Sequence, residues 1–240
     1  MPRESRAAIH ASRPDPSRVV IAVVVPVLRR PHRAEPLADS LTRATTVPYR
    51  LVFVCSPDDR AQIAACQGLG DVLTLDRPPG PADYSLKIQA GYDATTEPFV
   101  FTGADDLDFQ PGWDEAALAA AEAYNAGVIG TNDGANPKVK RGEHATHSLV
   151  RRAYVEECGG CLEGPGVLYS PAYSHGFVDN ELVELADSRG CWVFAADSHV
   201  THRHPFWGTA PMDETYRRAQ ADSAKDRALF QQRRKQWARR

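Results

Sequence analysis

The chain has no apolar run long enough to cross a bilayer. Its longest, Val19 to Val25, is broken by Pro26, whereas a spanning helix needs about 18 residues or more. The N-terminal MPRESRAAIHASRPDPSR holds no apolar h-region, so it does not read as a secretory signal. The five cysteines are an odd number without framework spacing. That excludes a disulfide scaffold and leads to the expectation of a reduced, cytoplasmic protein. An excess of one charge is also missing: Lys+Arg 28 against Asp+Glu 31 gives −3, too even to advertise a nucleic acid or a membrane. Three motifs are absent: G-x-x-x-x-G-K-[ST], a G-x-G-x-x-G after the first apolar run, and G-x-S-x-G. Their absence excludes a P-loop, a dinucleotide fingerprint and the nucleophile elbow of α/β-hydrolases.

What is present fits one α/β domain with a C-terminal extension. The chain has 240 residues, 42% apolar and 25% charged, enough to bury a core without staples. Residues 1–17 have no apolar period and are expected to be disordered. Strands are expected at 19–27, 50–55, 71–75, 98–102, 127–131 and 191–196. Helices are expected at 35–46, 61–68, 85–94, 113–125, 149–157 and 179–188, and a loop at 132–147. The alternation implies a mostly parallel sheet flanked by helices. The main domain is expected to run over 18–212. Residues 213–240 look helical and hold nine Lys/Arg and four Asp/Glu, a local +5 against −8 elsewhere. A solvated helix is the favoured reading of that tail. Contact with nucleic acid through Arg233, Arg234, Lys235, Arg239 and Arg240 beside Trp237 is the less favoured one.

Ligands of open α/β sheets bind outside the carboxyl ends of the strands. Three such ends carry charge: PVLRRPH after the first strand, SPDD after the second and GADDLD after the fourth. In the last, Asp105, Asp106 and Asp108 crowd together and repel one another unless a cation sits among them. Oxygen ligands of this kind suit Mg²⁺ or Mn²⁺, which complete their shells with substrate phosphates. The alternative is an acidic helix N-terminus. With no glycine cradle after the first strand, a nucleotide has to be held by side chains and metal.

These pieces together resemble the GT-A fold glycosyltransferases, in particular small family-2-like enzymes of bacteria and phages. The resemblance runs from about Val19 to Trp237. It is carried by VVIAVVVPVLRRP, LVFVCSPDD, DYSLKIQAGYDATTEPFVFTGADDLDFQPGW, HATHSLVRRAYVEECGG, SHGFVDNELVELADSRG and THRHPFWG. It implies transfer of a sugar from a nucleoside diphosphate sugar to an acceptor hydroxyl, with Mn²⁺ or Mg²⁺ and inversion of the sugar's configuration.

Pro26, Arg29, Asp58, Asp59, Lys87 and Asp105 would then face the donor. Asp106 and Asp108, with His202 and His204, would hold the metal. Gly103 departs from the family pattern, standing where an Asp is common. FVDNEL resembles the segment that supplies the general base, which implies Asp179 first and Glu181 second. Asp179 as a helix N-cap is the structural alternative. Phe206 and Trp207 are candidates for stacking on sugar or base. The acceptor is open among a protein, a glycan and a modified nucleobase, with 132–147 and 162–176 expected on its side.

Competing readings are a sugar-phosphate nucleotidyltransferase, disfavoured by the missing glycine-rich loop, and a non-catalytic sugar-nucleotide-binding relative. Cys158 and Cys161 with His144 and His147 also make a candidate zinc set. The Gly159–Gly160 pair, however, reads as a helix C-terminus.

Overall fold

The computed structural model describes residues 21–237. The segment 1–17, Val19, Val20, Arg239 and Arg240 lie outside the described residues. In the first half, β1 (Ile21–Pro26), β2 (Tyr49–Cys55), β3 (Asp71–Thr74) and β4 (Phe99–Thr102) pair in parallel around a central β1. β1 alternates its side chains between two buried layers. Ile21, Val23 and Val25 enter one, and Ala22 and Val24 enter the other. Two-sided burial is why its sequence is apolar throughout rather than alternating.

The helices α1 (Ala34–Ala44) and α4 (Trp113–Tyr124) cover the first layer through Leu37, Leu41 and Trp113. The second is covered by α3 (Asp83–Asp93) and α7 (Val178–Ser188) through Ile88, Leu182 and Leu185. α2 (Arg60–Cys66) flanks β2 and β3. α3 lies so close to β1 that a Cβ on Gly91 would stand 2.3 Å from Val24 Cγ1.

The later strands add antiparallel pairs to the mostly parallel sheet. β5 (Leu107–Phe109), β6 (Val128–Asn132), β7 (Ser148–Arg151) and β8 (Trp192–His202) complete a sheet of order β3-β2-β1-β4-β7-β6-β8-β5. β7 runs antiparallel to β4 and β6, and β5 antiparallel to β8, while β6 and β8 pair in parallel. The helix expected over 149–157 begins only at Arg152, as α6 (Arg152–Cys158). Leu149 and Val150 are buried in opposite layers, which a strand satisfies and a helix does not. The loop 132–147 contains the single turn α5 (Pro137–Lys140).

The tail forms α8 (Glu214–Ala221) and α9 (Ser223–Arg234), and it is docked rather than solvated. Tyr216, Phe230 and Trp237 are buried. Asp226, fully buried, accepts backbone N–H groups from Ser174, His175 and Gly176 at 2.8, 2.8 and 2.9 Å. Arg233 reaches Glu181 at 2.7 and 2.8 Å and Glu163 at 2.7 Å. The positive charge counted in the tail is therefore partly spent inside the protein. Among the described residues no helix is long and apolar enough to cross a membrane.

Candidate active site

β1 and β4 end side by side, and their outgoing loops bring arginines against aspartates. Arg30 donates from Nη1 to Asp105 Oδ1 at 2.9 Å and grips Asp213 with Nε and Nη2 at 2.8 and 2.7 Å. Arg33 Nη1 stands 3.7 Å from both Asp105 and Asp106 and donates to the Tyr216 hydroxyl at 2.9 Å. That hydroxyl donates in turn to Asp106 Oδ2 at 2.8 Å. The Arg30 guanidinium lies over the Tyr216 ring, 3.9 Å from its centroid, a cation–π contact. Arg203 pairs with Asp108. Arg30, Arg33, Asp213 and Tyr216 are the contacts that sequence reasoning missed. The cluster of basic residues after β1 was visible, but its tail partner lies 183 positions away.

The aspartates are not equivalent. Burial, and then the neighbouring Asp106 charge, push the Asp105 carboxyl up to about 6 despite Arg30 and Arg33. Burial also opposes ionisation of Asp106, but His202 with its hydrogen bond outweighs it and holds Asp106 below the usual carboxylate range. Of the pair, Asp105 protonates first. Gly103 is fixed by its surroundings: a Cβ there would stand 2.7 Å from the Val24 carbonyl oxygen. An aspartate cannot enter without moving β1.

A cleft of about 630 Å³ opens beside these groups, lined among others by Arg33, Asp105, Asp106, Asp108, Arg203 and Thr209. Among the described residues no three His, Cys, Asp or Glu side chains are grouped to hold a metal by themselves. The donor set instead fits a divalent ion shared with substrate phosphates, which needs only one or two carboxylates.

The expected metal-binding residues come together only in part. Asp105, Asp106 and Asp108 all line the cleft. Asp106 spends Oδ2 on Tyr216 and on His202 Nε2 at 3.3 Å, and its Oδ1 is enclosed without a partner. His204 caps the turn after β8 by accepting the Phe206 N–H at 3.2 Å, and burial followed by the nearby His202 pushes it down to about 4.

The other expected donor residues divide. Pro26 closes β1, next to the second-strand end. Asp59 caps α2 through Gln62 N and takes the Arg29 N–H at 2.6 Å, so both residues shape the loop after β1. Exposed Asp58 lies 4.0 Å from Arg29. Lys87 is 1% exposed and binds Val27 O, Ser56 Oγ and Asp83 at 2.9, 2.9 and 2.8 Å. It is a strut beneath the loops that follow β1 and β2.

The two base candidates separate as well. Asp179 is not the N-cap of α7. Phe177 is, in a left-handed conformation with φ 67°, an uncommon state for a bulky residue. Asp179 Oδ2 meets His144 Nε2 at 3.1 Å. Its charge is felt at His147 and, more weakly, at His202, the histidine paired with Asp106. Glu181 is fully buried and bound by Arg233, the Tyr173 hydroxyl at 2.6 Å and Leu162 N at 2.9 Å. It holds the tail, and its place as a base is withdrawn.

The zinc reading also falls. His144 is paired to Asp179 and His147 to Thr102 O at 2.7 Å. Cys158 and Cys161 are free, and Gly159 ends α6 at φ 74°. The exposed Phe206 stacks on His204 at 5.2 Å.

No family model and no curated sequence matches the chain. Solved structures do. A mannosyltransferase from Pyrobaculum calidifontis, in complex with GDP-Man and Mn²⁺, superimposes with TM-score 0.60 at 14% identity. That match covers 79% of this chain and 58% of the mannosyltransferase, so the chain spans little more than half the length of that protein. Glucosyl-3-phosphoglycerate synthase from Mycobacterium tuberculosis, with Mn²⁺, UDP and glucosyl-3-phosphoglycerate, gives 0.56 at 13% identity over 84% of this chain and 76% of that one. TarS 1–349 of S. aureus with UDP gives 0.57 at 14% identity over 76% of this chain and 59% of that one. The chain has the GT-A fold of glycosyltransferases.

Proposed function

We propose that the chain transfers a sugar from a nucleoside diphosphate donor to an acceptor hydroxyl. The observation that carries this reading is the arginine–aspartate cleft at the ends of β1 and β4. Arg33 and Arg203 are the cations on the cleft wall that suit a diphosphate, since guanidinium matches phosphate geometry. Asp105 and Asp108 are the carboxylates that would hold Mn²⁺ or Mg²⁺. When bound, such an ion neutralises the charge that grows on the departing diphosphate.

Asp179 serves as general base. It takes the acceptor hydroxyl's proton as that oxygen bonds to the anomeric carbon. The bond from that carbon to the phosphate oxygen breaks, its electron pair stays on that oxygen, and the nucleoside diphosphate departs. Attack from the opposite face inverts the sugar's configuration. The solved relatives bound to GDP-Man and to UDP with Mn²⁺ support the donor class.

The test is a panel of UDP-, GDP- and TDP-sugars read by calorimetry and by nucleoside diphosphate release, with and without EDTA. Binding of one donor, lost in Asp105→Asn/Asp108→Asn, is expected. A folded wild-type protein that binds none of them with Mn²⁺ or Mg²⁺ present refutes the reading.

A further inference from the structure

The His144–Asp179 pair joins two elements that nothing in the fold requires to meet. His144 comes from the loop before β7, and Asp179 stands in the first turn of α7. The helix does not need Asp179 as a cap, because Phe177 holds that place. Its carboxylate turns instead to His144 Nε2 at 3.1 Å. A carboxylate oxygen only accepts, so Nε2 carries the hydrogen. Exposure orders the pair: the His144 side chain is 7% exposed and that of Asp179 21%. The carboxylate is the more open partner of the two.

We infer that His144 is a positioning residue for Asp179. Its N–H fixes one carboxylate oxygen and leaves the other aimed at the acceptor hydroxyl. This rests on the glycosyl-transfer reading above. The geometry has the logic of a base held in orientation by a second group, here with the roles of carboxylate and imidazole reversed relative to hydrolase triads. The strained Phe177 just before the helix supports it. Its ring stacks on Phe230 of α9 at 5.4 Å, so the turn that presents Asp179 is held from outside, and backbone strain of this kind gathers at working sites. Burial works against the Asp179 charge, but the His144 hydrogen bond outweighs it and keeps the carboxyl below its ordinary range. The carboxylate therefore stays ionised and ready to take a proton.

The experiment compares His144→Phe, which keeps a ring and removes the donor, with His144→Gln, whose amide N–H can take the Nε2 position. Turnover in His144→Phe is expected to fall about 10-fold or more with donor KM unchanged, and His144→Gln is expected to recover most of it. Equal losses in both folded variants, or a change confined to KM, overturn the proposal. A second readout does not depend on the reaction. Nitrogen-detected NMR of the His144 ring, recorded at alkaline pH, should show the hydrogen on Nε2 in the wild type and lose that preference in Asp179→Ala, because the acceptor at 3.1 Å is removed. The same tautomer mixture in both proteins refutes the pairing, and with it the inference. Failure of the wild type to bind or turn over any donor refutes the enzymatic reading instead, and it leaves the NMR result to decide whether the pair exists.

Discussion

Asp226 offers the sharpest test of how the tail acts on the site. Its carboxylate fills a concavity of three backbone N–H groups, Ser174 to Oδ1 and His175 and Gly176 to Oδ2, all within 2.9 Å. Removing it in Asp226→Ala strands three donors in the interior. Each such donor costs about 1–3 kcal/mol, less whatever an entering water recovers. Loss of a buried, hydrogen-bonded charge costs about 3–5 kcal/mol, which we take as the expected destabilisation. Asp226→Asn keeps the shape but not the charge and should lose about half as much. Urea unfolding followed by circular dichroism gives both numbers from the shift in midpoint at constant slope. The same loop leads through Phe177 into α7 and Asp179, so turnover should fall in both variants at temperatures where they remain folded. Variants within about 0.5 kcal/mol of wild type, the range of ordinary surface changes, would refute the account.

Three further outcomes are expected. Asp105 keeps its proton in the folded protein up to about 6 but releases it near 3.8 when unfolded. The native state then binds more protons in that window, and this group's contribution to stability falls as pH rises from about 4 to 6. Asp105→Asn should flatten that slope, by on the order of 2–3 kcal/mol across the window, in unfolding midpoints measured at several pH values; identical slopes contradict it. Gly91→Ala should destabilise by about 1–3 kcal/mol through overpacking, since its methyl would meet Val24 at 2.3 Å; an unchanged melting temperature counts against the α3–β1 packing. Arg233→Met should cost about 3–5 kcal/mol by leaving Glu181 buried without its cation, and Glu181→Gln in the same chain should recover part of that. No recovery in the double variant would mean that the two residues are not coupled.

The parts of the fold that were legible are those whose signal is local. β1, β2 and β4 are apolar on both faces, and no other element writes VVIAVVV or FVFT. Asp105 and Asp108 were legible by position, at the end of such a strand. β7 was not, because SLVR is too short to set a period and runs straight into helix-forming residues. Roles that depend on a distant partner were hidden. Glu181 and Asp179 sit two positions apart in FVDNEL, yet one turns to Arg233 and the other to His144. Lys87 was named for the donor site by resemblance, but its partners Val27, Ser56 and Asp83 were not legible. Tyr216 gave no signal, since an isolated tyrosine in a basic helix resembles any surface residue.

The docking of α8 and α9 also bears on the order in which the protein is made. Every strand of the sheet leaves the ribosome before residue 213, so the sheet is free to collapse first. At that stage Arg30 has not met Asp213, Asp106 has not met Tyr216, and the N–H groups of 174–176 await Asp226. A nascent chain stalled there would carry the cleft's aspartates and arginines without the residues that hold them in place. Competence would arrive as a late, separate event of biosynthesis, and a fusion partner crowding Trp237 would delay it.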